Sequence, residues 1–169
     1  EVLARDIQPP SVAARCCQVL AEAAGACHLV GGQTDDLAED KPQTLAALEA
    51  IHRRKTGAMF LAPLQLGALT AGATDDQRAA LREYGECLGL AFQIVDDLLD
   101  VQGNEATLGK RVGKDVAHGK LTFPGLLGSA ESRHRAAQLT AQACAAIAPM
   151  LPAAEGLDAL ARFVAERDR

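Results

Sequence analysis

One apolar stripe at helical spacing constrains this chain more than any other feature. Leu81, Tyr84, Leu88, Ala91, Phe92, Val95 and Leu99 recur at intervals of mostly three and four residues, which places them along one side of an α-helix. Gly85 and Gly89, four apart on the same run, leave room for a neighbouring helix to come close. Asp75 or Asp76 is positioned to cap its start. Composition agrees with a helical fold: 49% of residues are hydrophobic, Ala and Leu dominate, aromatics make up 3% and Trp is absent. A β-sandwich or barrel would draw more heavily on Val, Ile, Thr and Tyr. The expected fold class is all-α.

The stripe ends in acid. Asp96 and Asp100 lie one turn apart on the same helix face, and Asp97 borders it. The C-terminal end of a helix carries partial negative charge, so crowded carboxylates there call for a counter-charge. Mg²⁺ suits such oxygen donors and also binds phosphate and water. Basic groups follow closely, in Gly109-Lys110-Arg111, Gly113-Lys114-Asp115 and Gly119-Lys120-Leu121-Thr122-Phe123-Pro124. Glycine lets backbone approach a ligand, and lysine is a point-charge partner for phosphate. The plainer reading of the same residues is a helix ending in solvated acids, followed by a polar loop.

A length of 169 residues allows one domain with a sizeable core. The net charge of -5 argues against nucleic acid as the main partner, because such binders carry a broad basic face. Local basic clusters in an acidic chain fit a small anionic ligand better. The five cysteines, Cys16, Cys17, Cys27, Cys87 and Cys144, show neither pairing nor metal-ligand spacing, so reduced thiols in the cytoplasm are expected. No run reaches the length of a membrane span and no signal peptide is visible. The chain opens Glu1-Val2-Leu3-Ala4, without Met, and is expected to be part of something longer.

Punctuation along the chain sets the expected elements. Ser11 caps a helix that runs to about Gly31-Gly32. Thr34 to Gln43 links to a second helix capped by Thr44, and Gly57 and Pro63 predict a break near Lys55-Thr56-Gly57. After the central helix comes a loop over 103–120, then helices near 122–127, 130–147 and 156–167. Of the histidines, His52 and His118 read as polar lining or surface and not as metal ligands. Tyr84 reads as core with its hydroxyl satisfied.

Five motifs in order carry a resemblance. They are Gly31-Gly32-Gln33 with Asp36-Leu37; Ile51-His52-Arg53-Arg54-Lys55-Thr56-Gly57; the run from Gly89 through Phe92-Gln93 to Asp96-Asp97-Leu98-Leu99-Asp100; Thr107-Leu108-Gly109-Lys110-Arg111; and Gly113-Lys114-Asp115 with Gly119-Lys120-Leu121-Thr122-Phe123-Pro124. Together they resemble the C-terminal half of the trans-isoprenyl diphosphate synthases, of the bacterial farnesyl or geranylgeranyl diphosphate synthase type. The resemblance implies an all-α bundle around a central cavity, usually a homodimer. It implies Mg²⁺-dependent condensation of an allylic diphosphate with isopentenyl diphosphate into a short-chain trans-prenyl diphosphate. It assigns Asp96, Asp97 and Asp100 to the metal, and Lys55, Lys110 and Lys120 to the diphosphate. Thr56, Gln93 and the Lys55 carbonyl would face the allylic cation, and Gln33 and Asp36 would line the cavity. The first aspartate-rich motif and the arginine pair that follow this family's pattern are absent, so these 169 residues are expected to be one all-α unit, the C-terminal half of a larger domain, inactive alone. A non-catalytic helical subunit or relic that binds diphosphate or a partner is the alternative, and a terpene cyclase ranks lower.

Overall fold

The computed structural model describes residues 1–108 and 121–167, and every regular element among them is helical. Short α1 (Val2–Asp6) leads into α2 (Pro10–Ala24) and α3 (Leu29–Leu37). Then come α4 (Leu45–His52), a π-helical turn (Arg53–Gly57) and α5 (Ala58–Thr70). The long α6 (Asp75–Leu108) is followed by α7 (Phe123–Leu127), α8 (Ser129–Ile147), a 3₁₀ turn (Ala148–Met150) and α9 (Glu155–Glu166).

Helix α6 is the axis. Its Tyr84 and Leu88 pack with Ala143 and Ile147 of α8 and Ala161 and Val164 of α9. Farther along, Leu90, Ile94, Val95 and Leu98 pack with Leu48 of α4, Leu121, Phe123 and Ala136. The single stripe expected from the sequence is therefore too narrow. Leu90, Ile94 and Leu98 are buried as well, because helices cover α6 on more than one side. Each fully buried Leu or Ile contributes about 1.5–3 kcal/mol, so this helix holds much of the stability.

Both glycines of α6 are contact points, as their spacing suggests. A Cβ on Gly85 would lie 2.8 Å from the side chains of Leu61 and Leu64, and one on Gly89 would lie 3.2 Å from Gly57 Cα. The second contact brings the π-turn backbone directly onto α6.

Several boundaries differ from expectation for local reasons. Thr74, not Asp75 or Asp76, caps α6: its hydroxyl accepts from Gln77 N–H at 3.2 Å, and its own N–H donates to Gln77 Oε1 at 2.9 Å. This reciprocal pair is a capping box, and the two acids occupy the first turn. Pro9 precedes α2 and Ser11 lies inside it. That helix stops at Gly25, whereas Gly31, Gly32 and Thr34 belong to α3. The end of α6 reaches Leu108, so the first part of the expected loop is helical; a single Gly103 costs about 1 kcal/mol, too little to stop a long helix. Thr44 does cap α4, accepting from Ala47 N–H at 3.2 Å. His52 is buried, not polar lining, and stacks on Phe123 with ring centroids 5.7 Å apart. All five cysteines are free.

Tyr84 is buried and donates its hydroxyl to the Leu157 carbonyl at 2.7 Å, tying α6 to α9. Burial, with the negative groups Cys144 and Asp158 nearby, pushes its pKa from 10.0 up to about 12. The folded state thus holds this proton more tightly than the unfolded chain does. The resulting stability is present below about pH 10 and is lost as pH rises toward 12. In a tyrosinate absorbance titration, the difference between wild type and Tyr84→Phe should show a midpoint near 12, or an unfolding transition on the way to it. A reversible midpoint near 10 in folded protein would contradict this burial.

Candidate functional site

The π-turn is the structural basis of the site. Such turns widen the helix locally and recur at functional positions. This one carries Arg53, Arg54, Lys55 and Thr56, at the break that the sequence pattern marks.

Helix α3 presses on the turn from one side. A Cβ on Gly32 would lie 2.4 Å from Lys55 N and 2.8 Å from Lys55 Cα, so only glycine permits this approach. Adjacent acids then meet adjacent bases. Asp35 pairs with Arg54, which also donates to the Cys27 carbonyl at 3.1 Å. Asp36 Oδ2 accepts from Lys55 Nζ at 2.7 Å. Burial raises the Asp36 pKa, but the hydrogen bond and charge of Lys55, helped by His52 and Lys41, outweigh it and hold the carboxyl below its ordinary value. Gln33 is half-buried on the same helix.

On its other side the turn meets α6. Thr56 Oγ1 donates to Gln93 Oε1 at 3.3 Å. Gln93 Nε2 donates to Asp97 Oδ1 at 3.3 Å, and Asp97 Oδ2 accepts the Phe123 backbone N–H at 3.1 Å. Three elements, the π-turn, α6 and α7, are linked by these bonds.

The acid triplet divides. Asp97 is completely buried, whereas Asp96 is half-exposed and Asp100 exposed. Asp96 lies three residues beyond Gln93, about 4.5 Å of helix rise. Its Oδ1 accepts from Arg167 Nη2 at 3.2 Å, and that guanidinium lies 4.0 Å over the Phe92 ring. Among the described residues no group of three or more Cys, His, Asp or Glu side chains could hold a metal. Two solvent-accessible carboxylates at i and i+4 nonetheless suit Mg²⁺, which binds one or two carboxylates and completes its shell with water and phosphate oxygens.

The crossing of the turn and α6 therefore brings Thr56 to Gln93, while Lys55 is held by Asp36 on the α3 side and Asp96 lies one turn farther along α6, paired with Arg167. Lys110 and Lys120 lie outside the described residues, as do Arg111, Lys114 and His118. A hollow of about 690 Å³ between α2, α5 and the start of α6, lined by Arg15, Leu64, Leu69, Arg78 and Arg82, contains none of the expected site residues. Sequence reasoning missed Arg167. It lies 71 residues from Asp96, and no local spacing signals such a pair.

Residues 3–148 fit the profile of the polyprenyl synthetase family. The farnesyl diphosphate synthase of Escherichia coli K12 is 46% identical over 157 residues, covering 89% of this chain and 52% of that protein. That of Geobacillus stearothermophilus is 46% identical over 130 residues, covering 76% and 44%. The crystal structure of a FPP/GFPP synthase from Zymomonas mobilis superposes with a TM-score of 0.83 at 33% identity, over 96% of this chain and 55% of that one. The chain thus spans about half the length of the proteins it matches.

The Gly32 contact is testable. Gly32→Ala should destabilise the fold by about 1–3 kcal/mol in denaturant unfolding, because overpacking outweighs the gain in helix propensity. Gly67→Ala on α5, where an added Cβ meets nothing within 4 Å, should be neutral or stabilising by up to about 1 kcal/mol.

Proposed function

Because the chain belongs to the polyprenyl synthetase family, we propose that it is the C-terminal half of a Mg²⁺-dependent short-chain trans-prenyltransferase. The reaction joins an allylic diphosphate to isopentenyl diphosphate, in a farnesyl or geranylgeranyl diphosphate synthase type of enzyme. The observation that carries this reading is the Thr56–Gln93 hydrogen bond where the π-turn that holds Lys55 crosses α6, one helical turn before Asp96. Supporting it, the relatives include farnesyl and geranylgeranyl diphosphate synthases.

The residues divide into roles by chemistry. The allylic C–O bond breaks and diphosphate departs with the electron pair. Lys55, released from Asp36, donates to a diphosphate oxygen, and Lys110 and Lys120 add charge to the same group. Asp96 and Asp100 would hold Mg²⁺, which when bound neutralises the departing diphosphate. Thr56 Oγ1, Gln93 and the Lys55 carbonyl present oxygen dipoles to the allylic cation, in a cavity that Gln33 and Asp36 help to line. The alkene π electrons of isopentenyl diphosphate then form the new C–C bond. Loss of a proton from the adjacent carbon to the departed diphosphate restores the double bond.

The second wall of the cavity and the first aspartate-rich motif belong, in this reading, to the other half. A cytoplasmic homodimer completes the proposal, consistent with five free cysteines. Among the described residues no helix is long and apolar enough to cross a membrane.

In the full-length protein, assayed with geranyl diphosphate, isopentenyl diphosphate and Mg²⁺, Asp96→Ala should lower kcat by about 100-fold or more. Near-normal turnover would remove Asp96 from the mechanism. The 169-residue chain alone should form no product; robust synthesis from it would show that one half suffices.

A further inference from the structure

We infer that Asp97 is a positioning residue: it sets the direction of a hydrogen-bond relay that ends at the Thr56 hydroxyl. This rests on the proposed reaction, in which Thr56 faces the allylic cation.

The argument is one of donors and acceptors. Asp97 is completely buried, and its position on α6 is turned about 100° from Asp96. Its two oxygens accept in different directions, Oδ2 from the Phe123 backbone N–H and Oδ1 from Gln93 Nε2. The reverse orientation of the Gln93 amide would set a carbonyl oxygen against Oδ1, two acceptors with no proton between them. Asp97 therefore fixes which end of the amide faces the π-turn. Gln93 Oε1 points to Thr56, and Thr56 must donate to it. The Thr56 proton is thereby committed, and the oxygen lone pairs are what remains for a ligand. A cation is stabilised by lone pairs and repelled by a hydroxyl proton, so the relay gives Thr56 the polarity that the chemistry requires. Without it, Gln93 could offer its NH₂ to Thr56, and the hydroxyl would turn its proton outward.

This role separates Asp97 from the metal, although it belongs to the same acid triplet. The Asp97→Asn side chain keeps the shape and can still accept from Phe123, but opposes the Gln93 NH₂ with its own. In the full-length protein it should lower kcat on the order of 10- to 100-fold. The Mg²⁺ concentration for half-maximal rate should stay within about twofold, whereas Asp96→Asn should raise it. In a Thr56→Val background, Asp97→Asn should cost less than about a further twofold, because the group it orients is gone. An increase in Mg²⁺ requirement matching that of Asp96→Asn, or an undiminished cost in the Thr56→Val background, would overturn the assignment. A wild-type measurement does not depend on the variants folding or on catalysis. In ¹⁵N-labelled protein the Gln93 side-chain amide protons should exchange slowly with solvent. Exchange at the rate of exposed glutamines would overturn the relay even if prenyl transfer were demonstrated. Slow exchange would uphold it structurally if prenyl transfer were not found.

Discussion

The site depends on a backbone contact with no side chains in it. Gly57 of the π-turn lies against Gly89 of α6, and Gly32 of α3 lies against Lys55 on the other side of the same turn. A π-turn has looser backbone geometry than the helix around it and persists where its surroundings determine it. Here both sides do so. A methyl group on Gly32 would require the chain to move, and one on Gly89 would lie 3.2 Å from Gly57 Cα, tight enough that the neighbour must give. Lys55 and Thr56 then have little choice of position, and Thr56 arrives within hydrogen-bond reach of Gln93.

Charges at this crossing already have partners within the chain. Lys55 is paired with Asp36, and Asp96 with Arg167. These ion pairs keep acids and bases apart from unfavourable neighbours in a partly covered region. Each pair is partly covered, with Asp36 and Arg167 the more buried members. Asp97 is different in kind, since burial and two directional bonds commit it to the fold. Neighbouring members of one acid motif thus have different surroundings, because successive residues on a helix point about 100° apart.

Much of this was legible in the sequence. Periodicity located the central helix, Thr44 announced α4, and glycine after a basic run marked the π-turn. The misplaced boundaries have several causes. Capping depends on which polar side chain reaches which N–H, so Thr74 prevailed over two neighbouring acids by forming a reciprocal bond with Gln77. Gly31 and Gly32 read locally as the end of a helix. The reason for glycine at 32 lies on another element, where the π-turn backbone leaves no room for a side chain, whereas at 31 a side chain would meet the Ala26 carbonyl and the Arg54 guanidinium.

What the sequence by itself determined is the helical class, the order of the motifs and the clustering of acids and bases, since these follow from periods and spacings within a few turns. Only the tertiary structure decided that Asp35 and Asp36 meet Arg54 and Lys55, that Arg167 covers Asp96, and that Asp97 turns inward to Gln93 and Phe123. The physical reason is distance along the chain. Those partners lie 19 to 71 residues apart, apart from the single turn between Gln93 and Asp97, and no local rule of backbone or side chain chooses among contacts that packing alone brings together.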